Sequence, residues 1–92
     1  MLLKEIAHSR TGDKGNISVI SVIAYQQEDY KLIKEKVTVE KLKDYFKDIV
    51  HGKITRYEIE SIGALNFVME DALGGGVTRS LAIGSALLEM KI

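Results

Sequence analysis

The chain has 92 residues, 13 basic and 13 acidic, with 46% hydrophobic and 28% charged side chains, a composition that leaves room for one domain over residues 1–92. Zero net charge provides no field to draw the protein to nucleic acid or to an anionic membrane, so neither partner is expected. The absence of cysteine excludes disulfides, thiolate catalysis and sulfur-ligated metal.

The first residues are charged by Lys4 and carry no long apolar run, so neither a signal peptide nor a membrane span is expected, and the cytoplasm is the default location. Residues 3–8 are half apolar and predict a first strand. Residues 17–24 read Ile-Ser-Val-Ile-Ser-Val-Ile-Ala and predict a second, central strand with apolar side chains on both faces. Helices would cover one of those faces and a partner could cover the other.

Residues 25–36 are polar, with Tyr30 and Ile33 at helical spacing. Val39, Leu42, Phe46 and Ile49 or Val50 form a stripe that predicts a helix over 39–50, capped by Thr38 and stopped by His51 and Gly52. His51 is expected at the helix terminus, where the dipole favours it. The lysines between Lys31 and Lys53 alternate with Glu35, Glu40, Asp44 and Asp48, as on a solvated face.

Residues 54–60 alternate, with Ile54, Arg56, Glu58 and Glu60 on one side and Thr55, Tyr57 and Ile59 on the other, and predict a third strand. Residues 64–73 fit either a strand or a helix. A strand paired to the third through Ser61-Ile62-Gly63 is the preferred assignment. After Gly74, Gly75 and Gly76, residues 81–90 carry Ile83, Leu87 and Met90 at helical spacing and predict a second helix, alone or followed by a short edge strand. Strands and two helices without a βαβ rhythm imply an α+β sandwich of two layers.

Reactive side chains concentrate in His8-Ser9-Arg10-Thr11-Gly12-Asp13-Lys14-Gly15-Asn16. As a loop, its two glycines would permit positive φ on either side of Asp13 and Lys14 and aim successive amides at one anion, with Arg10 and Lys14 adding charge. As a plain turn, the same glycines would only close a hairpin. The run is not a Walker loop, because Lys14 precedes Gly15. On a strand, His8 and Ser9 point apart and cannot form a nucleophile and base, whereas His8 and Arg10 share a face and could hold a carboxylate or phosphate.

The triple glycine before a helix, with Thr78 or Ser80 as cap and Arg79 beside it, is a weaker anion candidate. Asn66 and Glu70, on the outward side of a strand, are weaker still. His8, His51, Asp13 and Glu58 lack ligand spacing, so no metal is expected, and no cofactor is indicated.

Three ordered blocks carry a resemblance: Ile6-Ala7-His8-Ser9-Arg10-Thr11-Gly12-Asp13-Lys14-Gly15-Asn16, then Arg56-Tyr57-Glu58-Ile59, then Ala64-Leu65-Asn66-Phe67-Val68-Met69-Glu70-Asp71-Ala72-Leu73-Gly74-Gly75-Gly76. Together they resemble the small C-terminal domain of the AtuA-like family, the acyclic terpene utilisation proteins, over nearly the whole chain. The resemblance implies a ferredoxin-like α+β sandwich of two layers, about four mainly antiparallel strands with two helices on one face. It also implies a much larger AtuA-like partner, on the same chain or separate, and a link to catabolism of acyclic terpenoids and related branched acyl compounds as coenzyme A thioesters. His8, Arg10, Gly12, Asp13, Lys14, Gly15, Asn66 and Gly74 to Gly76 match the family's motifs. The stretch after the triple glycine looks shorter than in relatives, and a proline usual near Ser61 is absent.

Three functions follow as expectations. In the first, the chain is an accessory subunit that docks on a large AtuA-like chain and contributes the run 8–16, with the triple glycine, to a shared site. In the second, a self-associated protein, enzymatic or not, binds an acyl-CoA or carboxylate anion through Arg10 and Lys14. In the third, the domain is structural and its loops are only turns.

Overall fold

The computed structural model describes residues 1–72 and 77–92, with the side chains of residues 77–79 outside the description. The β-branched run Ile17–Ala24 forms a central strand, β2, and pairs along its full length with β1, Ala7–Lys14. After β2 come two short helices, α1 (Tyr30–Lys36) and α2 (Val39–Tyr45). A second hairpin, β3 (Ile54–Ile59) and β4 (Ala64–Met69), and a final helix, α3 (Val77–Leu88), complete the order. The strands form one antiparallel sheet in the order β1-β2-β4-β3. This is the expected α+β, ferredoxin-like two-layer arrangement.

Strand alternation decides which side chains meet the helices. Ser18, Ile20 and Val22 of β2, Leu65, Phe67 and Met69 of β4, and Ile54 of β3 are buried. Apart from Ser18 they share one apolar cluster with Ile33 of α1, Leu42 of α2, Phe46, and Ile83 and Leu87 of α3. The core therefore lies between one sheet face and the helices. The other face carries the alternate residues.

Several boundaries differ from the sequence expectations. The first strand does not occupy residues 3–8: Leu3–Glu5 form a 3₁₀ turn, and the strand begins at Ala7 and continues to Lys14. Residues 8–14 are therefore strand and not loop, held by pairing with β2 residue by residue although glycine and aspartate are poor strand formers. A helix beyond the two expected, α1, occupies 30–36, burying Tyr30 and Ile33.

The helix expected over 39–50 stops at Tyr45, because Phe46, at φ −109° and ψ 22°, leaves the helical basin. The chain keeps turning, with the amides of Ile49 and Val50 donating to the Phe46 carbonyl, so Phe46 and Val50 remain in the core. Thr38 caps α2 as expected, its Oγ1 accepting from the Lys41 amide at 3.2 Å. His51 is not at the helix end. Its amide instead donates to the Asp71 carbonyl at 3.2 Å.

The preference for a strand over residues 64–73 holds for Ala64–Met69, while Glu70 and Asp71 turn and Leu73 lies outside the described residues; the turn before the strand uses Gly63 at φ 64°, a conformation that favours glycine. Past α3 the chain returns beside its own start in a single bridge between Leu2 and Lys91.

Candidate functional site

Because β1 is a strand, the run that begins at His8 divides between two faces. His8, Arg10, Gly12 and Lys14 alternate onto the face away from the helices. Ser9, Thr11 and Asp13 alternate onto the helical side, where Thr11 and Ser9 lie under Gly84 of α3. The expected nest of convergent amides does not form. Successive amides in a paired strand point in opposite directions, and Gly12 lies flat opposite Val19.

Only Gly15 and Asn16 make the turn. Gly15 has φ +63° and Asn16 does not have positive φ, the pattern of a II′-type hairpin. The Asn16 side-chain amide donates to Asp71 Oδ1 at 2.9 Å, and the Asn16 backbone carbonyl accepts from the Ala72 amide at 3.2 Å. Asn16 thereby ties the hairpin tip to the end of β4. Ser80 of α3 reaches the same hairpin: its hydroxyl lies 2.8 Å from Ser18 Oγ and 3.4 Å from the Gly12 carbonyl, with both serines buried. Gly74, Gly75, Gly76 and the side chains of Thr78 and Arg79 lie outside the described residues.

The face away from the helices is built in rows across the strands. One row runs Gly12, Val19, Val68 and Thr55, and another runs His8, Ile23, Ala64 and Ile59. Between them lies a polar row of Arg10, Ser21, Asn66 and Tyr57, in which the Ser21 hydroxyl donates to Asn66 Oδ1 at 2.8 Å. Tyr57 is 54% exposed and Ile17 and Ile59 are each 37% exposed, while Val19, Ile23 and Val68 are half-buried. At one corner His8 stacks on Tyr25, ring centroids 5.1 Å apart. Sequence reasoning placed His8 and Arg10 on one face and Asn66 on the outward side of its strand, but it read Lys14 as part of a loop and passed over Ser21, Tyr25 and Tyr57. The signal for Tyr57 was present in the alternation that sets it opposite in direction to Arg56.

The ion pairs lie elsewhere. Arg56, on the helical side of β3, donates from Nη1 to the carbonyls of Lys34 and Val37 at 2.7 and 2.9 Å, closing the C-terminus of α1, and from Nη2 to Glu58 at 2.9 Å. Lys34 donates to Glu60 at 2.7 Å, which raises the Lys34 pKa and lowers that of Glu60. Tyr30 is buried beside this group. Burial pushes its hydroxyl pKa up, as do the negative charges of Glu58 and Glu60, and the hydroxyl has no hydrogen-bond partner among the described residues.

Arg10 and Lys14 make no ion pair among the described residues. Among the described residues no three His, Asp or Glu side chains converge as a metal site would require. A depression of about 390 Å³ on the helical layer, lined partly by Tyr45 and Met90, contains none of the candidate residues. No described helix is long and apolar enough to cross a membrane. The candidate site is thus a sheet face with cations and hydrogen-bond donors set among aliphatic rows.

No curated protein and no solved structure matches the chain. The family model of the AtuA ferredoxin-like domain matches residues 1–87, a span that contains the whole four-stranded sheet and both hairpins. The chain belongs to the AtuA ferredoxin-like domain family.

Proposed function

We propose that the protein is a small accessory subunit that docks through its open sheet face on a large AtuA-like chain. It brings His8, Arg10 and Lys14 to a shared site in the catabolism of acyclic terpenoid or related branched acyl-CoA compounds. The observation that carries this reading is the sheet face itself, where Ile17, Val19, Ile23, Tyr57, Ile59 and Val68 stand without a covering helix among the described residues. Four strands about 4.8 Å apart and about six residues long give a footprint of about 400 Å², the size of a functional patch on a small protein. A standard interface occupies about 800 Å² on each partner. A larger chain that also wraps the hairpin edge reaches that figure more readily than face-to-face stacking of two copies.

The hairpin brings the motif residues to such a junction without a private cleft, which suits a site completed by a second chain. The experiment is light scattering on the chain alone and then co-expressed with the large AtuA-like chain of the same genome. A stable complex, lost on Val68→Asp, is the expected result. A self-contained oligomer that ignores the large chain would overturn the reading and transfer the candidate residues to an independent protein, for which coenzyme A thioesters and carboxylates are the first ligands to test.

A further inference from the structure

We infer that the docking surface of the partner presents an acidic side chain to the polar row formed by Arg10, Ser21, Asn66 and Tyr57. This rests on docking through the open face and specifies the chemistry of what docks. The row crosses all four strands, one residue from each, over about 14 Å, between two rows that are mainly aliphatic.

Its hydrogen-bonding capacity is one-sided. The Ser21 hydroxyl gives its hydrogen to Asn66 Oδ1, so the Asn66 Nδ2 is left with two N–H groups and no acceptor among the described residues. The Arg10 guanidinium brings five more donors and has no ion pair among the described residues. The Tyr57 hydroxyl, on an exposed ring, can also donate.

No acid in the strands shares this face, because Asp13 and Glu58 alternate to the helical side. Just past the strand ends, Glu70 is four residues along from Asn66, about 13 Å in an extended chain, and Glu60, three residues along from Tyr57, is held by Lys34. The charges within the strands on this face are therefore Arg10 and Lys14, both positive, although the chain as a whole is neutral.

Covering the row with a purely aliphatic surface would desolvate these donors and leave them unmatched, a penalty that works directly against association. A carboxylate accepts from the guanidinium in a two-pronged pair and keeps a further lone pair on each oxygen for another donor of the row. A second copy of the chain would bring further donors and cations to the same plane but no strand acid, so self-stacking does not satisfy the row. Arginine and tyrosine at the two ends of the row are the residue types that most often dominate the binding energy of protein interfaces.

The test uses the complex with the large AtuA-like chain and compares Arg10→Glu, Arg10→Ala and Val68→Asp, each first shown to melt as the wild type does. The expected result is loss of the complex in Val68→Asp, at least about tenfold weaker binding in Arg10→Glu than in Arg10→Ala, and a shallower salt dependence in both arginine variants. If Val68→Asp abolishes binding while Arg10→Glu binds as well as wild type or better, docking stands and the acidic contact is overturned. If the wild-type chain forms no complex, or Val68→Asp binds unchanged, docking through this face is itself overturned.

Discussion

Gly84 lies in α3 where the helix crosses β1, and replacing it with alanine sets two effects of opposite sign against each other. Alanine in a helix interior is favoured over glycine by about 1 kcal/mol. Its Cβ would, however, stand 2.6 Å from Thr11 Cγ2 and 3.4 Å from Ser9 Oγ, whereas carbon atoms in contact settle about 3.5–4.0 Å apart. Thr11 is β-branched and restricted in χ1, so relief requires α3 to lift from the sheet by about 1 Å. Overpacking of that kind costs about 1–3 kcal/mol.

The clash wins, and Gly84→Ala is expected to lose about 1 kcal/mol net, which lowers Tm by about 4–8 °C in a domain of this size. Thr11→Ser removes the obstructing methyl, so in that background the same Gly84→Ala change should stabilise. Thermal and urea unfolding of the four proteins in this cycle measures the coupling. A rise in Tm for Gly84→Ala alone, or no change of sign on adding Thr11→Ser, would refute the packing argument.

Arg56→Met keeps the apolar stem but removes both hydrogen bonds to the α1 carbonyls. Urea unfolding should show a loss of about 2 kcal/mol, and a change below about 0.5 kcal/mol would mean that water replaces the guanidinium there at no cost. Ser18→Ala strands the buried Ser80 hydroxyl with only its long approach to the Gly12 carbonyl and should cost about 1–2 kcal/mol, with Ser18→Ala/Ser80→Ala recovering part of it; an additive cycle would contradict the pairing. Lys34 holds the Glu60 pKa below the ordinary glutamate value, so its stabilisation is present above that value and fades as pH falls through the lowered one. In an NMR titration Lys34→Met should return the Glu60 midpoint upward, and an unmoved midpoint would remove Lys34 as the cause.

Much of the layer arrangement was legible because burial leaves a period in the sequence. The stripe from Val39 through Leu42 to Phe46 announced α2, and the two-sided apolar pattern of Ile17–Ala24 announced both a central strand and a face in need of cover. What misled was β1. Glycine, aspartate and lysine in residues 12–14 look like a loop, and their strand geometry comes from pairing with β2, a long register that local preference does not encode.

A local signal existed nonetheless: Gly15-Asn16 is the sort of two-residue pair that closes a tight hairpin, which would have placed residues 8–14 in the strand before it. The site was half legible for the same reason. The alternation of His8 with Arg10 was visible, but the company of Ser21, Asn66 and Tyr57 depends on strand order, with β4 inserted between β2 and β3.

The Ser21–Asn66 hydrogen bond has a bearing on folding as well as on recognition. Within the sheet the two hairpins join where β2 pairs with β4, and most residues along that joint are aliphatic and nearly interchangeable. A slip of one residue would turn every side chain to the wrong face, but a slip of two would preserve the faces and set Asn66 against Val19 or Ile23. In either misalignment the serine and the amide lose each other among aliphatic neighbours. One polar pair at the middle of the joint therefore discriminates between alignments that hydrophobic burial alone would leave nearly equal, so the hydrogen bond that orients the Asn66 amide also tells the two halves of the sheet how to meet.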